Sequence, residues 1–240
     1  MTLGYMEAYK LEEGIKVKKQ LKLRWIKDSE LDLVYEFILK SYSLLENKET
    51  FLLQSKEDTF KPYYKGGEIL GLFDEDENLV AQRYIVFLDC YNSDLMDDIN
   101  LPLEERKGII YLKSILVDRN YTGNKLQYRT FEVLRKLMNE KNYYKYISTI
   151  SPYNLFSIEN ALRGGLKIRG LEKKYPDEKE PQGYWRYINY LDEKSNLKME
   201  NINLEVNRLD IEKQRELISQ GFIGKGLTED KTSVIYDRVV

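Results

Sequence analysis

Ile115-Leu116-Val117-Asp118-Arg119-Asn120-Tyr121-Thr122-Gly123-Asn124-Lys125-Leu126 is the stretch on which the reading of this chain turns. Before it, Gly108 to Asp118 is a β-rich run, too apolar on both faces for an edge strand. After it, Leu126, Val133, Leu134, Leu137 and Met138 form one apolar stripe, which predicts a helix from Lys125 to Asn142. A strand that feeds a helix through a glycine turn aims unpaired backbone N–H groups, and the positive end of the helix dipole, at whatever lies in front. That arrangement suits a phosphate. Gly123 permits positive φ, and Arg119, Lys125 and Arg129 add nearby cations. Turns use glycine routinely, so by itself such a junction is more often a plain connection.

Working outward, Leu21 to Lys27 reads as a strand and Ser29 as the N-cap of a helix from Glu30 to Leu45. Ile69–Phe73 and Leu79–Leu88 flank the acidic turn Asp74 to Asn78, a hairpin pattern. The segment from Cys90 to Lys107 is irregular and acidic. Downstream come a strand at Tyr146–Ile150 and a helix at Asn154–Arg163, stopped by Gly164-Gly165. Two strands follow, Leu166–Leu171 and Tyr184–Leu191. Beyond a polar linker, Asn203–Arg208, Asp210–Gln220 and Phe222–Val240 read as strand, helix and hairpin. Residues 192–240 are too few for a sizeable core of their own. They are expected to pack as a C-terminal β-α-β-β extension on a main domain of residues 1–191. The fold class is α/β, a mixed sheet with flanking helices.

Composition narrows the chemistry. The 240 residues contain no histidine and one cysteine, Cys90. That excludes Ser-His-Asp and Cys-His catalysis and the usual zinc sites, so no metal is expected. Carboxylates, lysine, tyrosine and backbone amides remain. The net charge of −2 argues against a nucleic-acid partner. No apolar run spans a bilayer and no signal peptide opens the chain, so a cytoplasmic protein without a membrane partner is expected.

Two motifs in order give a resemblance. The run from Ile115 to Leu126 resembles the acetyl-CoA motif of the GNAT superfamily of N-acetyltransferases. There a strand ending in Val feeds a Gly-rich turn. The run Ser151-Pro152-Tyr153-Asn154-Leu155-Phe156-Ser157 through Asn160 to Leu166 is similar to that family's second motif. The resemblance covers Leu21 to Leu191. It implies a GNAT-like twisted sheet, acetyl-CoA as cosubstrate, and an amine-bearing small molecule or peptide as acceptor, in a monomer or homodimer. Backbone groups of Ile115 and Val117 would pair with the pantetheine arm. Amides of Thr122, Gly123, Asn124, Lys125, Leu126 and Gln127 would hold the pyrophosphate. Asn154 and Ser157 would lie beside the pantetheine, and the Val117 amide would polarise the carbonyl.

The departures lie where protons are handled. Thr122, Lys125 and Gln127 differ from the family's turn. Ala161 stands where a tyrosine acid often lies, and Lys113 where many members carry a glutamate base. Tyr153, Tyr111, Tyr175 and Glu68 are the remaining candidates, none singled out by spacing. The acidic segment from Asp89 to Glu105 is a candidate attractor for a cationic amine. The alternative to an enzyme is a protein that kept the acyl-CoA fold for sensing or partner binding.

Overall fold

The computed structural model describes residues 1–91 and 93–239; Asn92 in the acidic segment and Val240 at the end of the C-terminal hairpin lie outside the described residues. Strands β1 (Thr2–Glu12) and β2 (Ile15–Trp25) form a hairpin. Its two-residue turn has both Glu13 and Gly14 at positive φ, as a tight primed turn requires. Only the inner half of β2, from Leu21, carries a clear apolar alternation, which is why β1 was not legible. Along β1 the outward face bears Tyr5, Tyr9 and Leu11, so apolar side chains fall on both faces.

Helix α1 (Leu31–Ser43) buries Leu31, Val34, Phe37 and Ile38. Its N-cap is Glu30, one residue later than the Ser29 expected. The Glu30 carboxylate accepts from the Lys27 N–H and from Arg24, and Asp28–Glu30 coil as a short 3₁₀ turn. Helix α2 (Lys56–Phe60) is capped by Ser55. Strands β3 (Glu68–Phe73) and β4 (Leu79–Phe87) make the expected hairpin. A single turn, α3 (Leu95–Asp98), leads to β5 (Ile109–Val117). Then follow α4 (Leu126–Glu140), β6 (Lys145–Ile150), α5 (Leu155–Arg163), β7 (Lys167–Lys174) and β8 (Tyr184–Asp192). The tail supplies β9 (Leu204–Asn207), α6 (Ile211–Ser219), β10 (Phe222–Leu227) and β11 (Ser233–Arg238).

All the strands join one sheet in the order β1-β2-β3-β4-β5-β6-β8-β7-β10-β11-β9. Each pairing is antiparallel except β5 with β6. One sheet face packs on α1 through Val34, Phe37, Phe73 and Val86. The other packs on α4 through Phe131, Leu134 and Met138 against Ile85, Ile110 and Tyr146. Each such fully buried side chain contributes about 1.5–3 kcal/mol. The tail shares a cluster with the preceding strands: Leu217, Phe222 and Tyr236 pack with Ile168, Leu171 and Tyr187. At its centre the buried Gln214 Oε1 accepts from the Tyr187 hydroxyl at 2.7 Å and the Tyr236 hydroxyl at 2.9 Å. No helix among the described residues is long and apolar enough to cross a membrane.

Candidate functional site

The site originates in one irregularity of β5. Along the β4–β5 ladder Tyr84 faces Ser114, yet Ile85 faces Leu112, so Lys113 is an extra, bulged residue. Bulges bend a strand and re-aim a side chain. Beside this one, the parallel pairing of β5 with β6 extends from Ile109–Lys145 to Tyr111–Ile147 and stops. From Leu112 onward the two strands part.

The parting leaves backbone groups facing a notch. The Asp118 N–H donates to the Val80 carbonyl at 2.8 Å, and Val117 and Ile115 face Ala81 and Arg83. Alternate residues of an antiparallel ladder bond the partner strand. Ile115 and Val117 therefore turn their N–H and C=O groups away from β4, towards the gap where β6 no longer pairs. The notch opens on the α4/α5 side as a cavity of about 120 Å³. Ile115, Gln127, Ser148, Asn154, Ser157 and Ala161 are in its wall. Ser148 Oγ is buried there without a partner. Asn154 caps α5, its side-chain oxygen accepting from the Ser157 N–H at 3.1 Å, while its amide nitrogen has no acceptor among the described residues.

At the mouth, Gly123 has φ of 86° and Lys125, the N-cap of α4, sits left-handed at φ 55° and ψ 29°. A helical backbone at Lys125 was expected; instead the left-handed residue breaks the chain direction and α4 begins at Leu126. The first intrahelical bond is Arg129 N–H to the Lys125 carbonyl, so the first-turn amides of Leu126, Gln127 and Tyr128 project forward unpaired. Thr122, Gly123 and Lys125 are exposed, and the Leu126 side chain is buried. The Asn124 side chain is spent on β1: it accepts from Tyr9 N–H and donates to the Tyr9 carbonyl, both at 2.7 Å. Arg129 also turns to β1, donating to the Glu7 carbonyl at 2.7 Å.

On the opposite side of the splayed pair lies a larger cavity, about 660 Å³. Lys113, Ser114 and Thr149 wall both cavities, so the two meet at the bulge. The largely buried Lys113 amine donates to Gln54 Oε1 at 3.0 Å, and burial pulls its pKa down to about 8. Three hydroxyls cluster beside it. Tyr111 and Tyr175 are 2.8 Å apart, and Tyr175 is 2.6 Å from Thr149 Oγ1. Burial raises both phenols, Tyr111 well above its usual value. Tyr175 holds this place with φ of 61° just past the end of β7, a strain typical of functional positions. Arg186 completes the cavity.

The structure thus brings Tyr111, Tyr175 and Lys113 together and leaves the other proton-handling candidates apart. Tyr153 is 44% exposed and lies in neither cavity wall. Glu68 faces Lys141 at 3.6 Å, also outside both walls. Val117 too is in neither wall. Part of the acidic segment is paired: Asp97 with Arg106, and Asp94 and Asp98 both with Lys174. Arg83, Thr149 and Arg186 were missed. Arg83 is buried, its Nε donating to Thr130 Oγ1 at 3.3 Å, with burial lowering its pKa to about 9. A charged residue at the centre of a continuous apolar strand was the available signal for both arginines.

No family model and no curated protein matches this sequence. Solved structures do match in fold. A GNAT-family acetyltransferase from Listeria monocytogenes superposes with TM-score 0.53 at 13% identity, over 79% of this chain and 99% of that one. The ribosomal-protein-S18-alanine N-acetyltransferase from Escherichia coli gives 0.54 at 12% identity, over 77% and 99%. An N-acetyltransferase from Staphylococcus aureus gives 0.53 at 14%, over 72% and 99%. The chain has the fold of the GNAT acetyltransferases.

Proposed function

We propose that this chain is an N-acetyltransferase that moves an acetyl group from acetyl-CoA to a primary amine, with both substrates bound together. The observation that supports it most is the junction of two cavities at the Lys113 bulge, one on each side of a splayed parallel strand pair. The narrower cavity fits an acyl-CoA arm: backbone groups of Ile115 that β4 does not pair face it, those of Val117 continue the row beyond its wall, and Ser148 Oγ is a buried hydroxyl lacking a partner. The first-turn amides of α4 and the exposed Gly123 turn suit the pyrophosphate. Acetyl-CoA supplies the thioester whose carbonyl the amine attacks.

The chain's own groups divide the remaining work. Val117 lies about 13 Å along β5 from the bulge, four residues at the usual rise. The amide that faces the notch nearest the junction is that of Ile115, and it takes the oxyanion role in place of Val117. Lys113, with its pKa near 8, is neutral often enough near pH 7–8 to accept the proton of the acceptor's ammonium. Tyr175, kept protonated by burial and joined to Thr149 at the junction, donates a proton to the departing thiolate. The phenol thus reaches the site from the end of β7, compensating for Ala161 on α5.

The test is a thiol-release assay over a panel of primary amines, comparing the natural chain with Lys113→Met. Turnover by the former, reduced by about 10²–10⁴-fold in the latter, is the expected result. A sensor without chemistry is the second reading, favoured by Asn124 and Arg129 being tied to β1. It predicts CoA binding with no amine turned over above hydrolysis.

A further inference from the structure

The larger cavity carries more positive charge than its own residues neutralise. Arg186 is 4% exposed and stands in the cavity wall. It donates to the Trp185 carbonyl at 2.8 Å and to the Glu49 carbonyl at 2.7 Å. Its Nε–H and the remaining N–H groups have no acceptor among the described residues, and no carboxylate lies within ion-pair distance. Lys113 likewise has only the neutral Gln54 oxygen. The third cation of the wall, Lys174, is matched by Asp94 at 2.7 Å and by Asp98. The remaining carboxylate of the wall, Asp97, is held by Arg106 at 2.6 Å. A buried guanidinium left with unused donors is costly unless something anionic completes it. Its planar fork matches a carboxylate in two parallel hydrogen bonds.

We propose that the acceptor carries a carboxylate as well as its amine, and that Arg186 is the residue that recognises it. This deepens the acetyltransferase reading and rests on the same cavity. The bulged Lys113 on β5 and Arg186 on β8 are separated by β6, and because β5 and β6 have already parted at Lys113 their strands lie farther apart than the roughly 10 Å of two regular spacings. An amine at the junction and a carboxylate at Arg186 are therefore presented at opposite ends of one small molecule. Tyr84, Tyr91 and Phe51 add apolar surface to the same cavity. A cavity of about 660 Å³ is the size of a small-molecule site. The class is an amino acid or short peptide whose amine and carboxylate stand several bonds apart.

The experiment compares a matched pair differing only at the anion, a dipeptide with a free carboxylate and its C-terminal carboxamide, and adds an aminoalkyl phosphate of similar length. Turnover by thiol release and binding by calorimetry in the presence of CoA are both measured. The natural chain is expected to prefer the carboxylate over the carboxamide by about 10²-fold in kcat/KM and in affinity, since an unpaired buried donor set rejects the neutral analogue. Arg186→Gln should bring that ratio close to 1 while the KM for acetyl-CoA holds. Arg186→Lys, which keeps the charge without the fork, should retain part of the preference and checks that the fold survives. Equal use of carboxylate and carboxamide, an unchanged ratio in Arg186→Gln, or no binding of any of the three overturns the proposal. A preference for the phosphate overturns the choice of carboxylate. Carboxylate-selective binding without turnover instead leaves the anion site standing and removes the transferase.

Discussion

Lys113 is one residue on which several physical effects converge. A bulge exposes its side chain to the junction, burial weakens its charge, and one neutral acceptor holds it in place. As the proposed base it is active when neutral, so kcat/KM should rise with pH through about 8 and level off above it. The same shift links to stability. Between about 8 and the unfolded value of 10.5, the unfolded chain binds more protons than the folded one, so stability rises with pH across that window. The cost below pH 8 is about 3 kcal/mol at most, by the size of the shift. Lys113→Met should therefore melt higher than the natural chain at pH 7 and lose both the activity and the pH-8 limb. A variant with full activity, or with the limb intact, removes Lys113 as base. Tyr175→Phe should lower kcat more than the KM for acetyl-CoA, measured in the same assay. The sequence marked position 113 as a departure and left Tyr111 and Tyr175 among several equals. Their convergence depends on which strands neighbour one another, which spacing does not encode.

At the scale of elements, the strand–turn–helix around Gly123 was legible because its strand and helix follow different periods and a glycine separates them. Less legible was Lys125, whose left-handed backbone is set by the turn rather than by its own preference. Lys125→Gly should raise the melting temperature, because it relieves a left-handed strain of about 1–2 kcal/mol, offset in part by the greater entropy of glycine in the unfolded chain. At Gly123 a Cβ would meet nothing within 4 Å, so substitution there costs only backbone strain. Gly123→Glu and Gly123→Ala should then melt alike, whereas the carboxylate alone should weaken CoA binding by well over tenfold in a calorimetric titration. Equal CoA affinity in the two variants would place the anion site elsewhere. The hairpin of β1 and β2 escaped the reading since its outer face mixes Tyr5, Tyr9 and Leu11 with charges. Once folded, it clamps the turn through Asn124 and Arg129.

Across the whole molecule, one sheet carries both the splayed pair and the tail. Gly224 lies opposite Ile168, where a Cβ would approach that residue's Cβ to 2.9 Å, so β10 docks on β7 only because it carries no side chain there. We propose that residues 192–240 act as an extension of the main domain rather than as an independent unit. Truncation after Leu191 would bare Ile168, Leu171 and Tyr187, and should lower the melting temperature and the soluble yield; unchanged stability would mark the tail as independent. Gln214→Leu should cost about 1–3 kcal/mol for the Tyr236 hydroxyl it strands, measured by denaturant unfolding, whereas the Tyr187 hydroxyl keeps the Arg208 carbonyl at 3.0 Å. The central claim is that the notch between β5 and β6 receives an acyl-CoA, and its most direct measurement is a titration of CoA into the natural chain, followed by calorimetry and by melting. The account predicts saturable binding, with a stabilisation of about 2.7 kcal/mol at 100 times the dissociation constant. An absence of both heat and melting shift at millimolar CoA would contradict it.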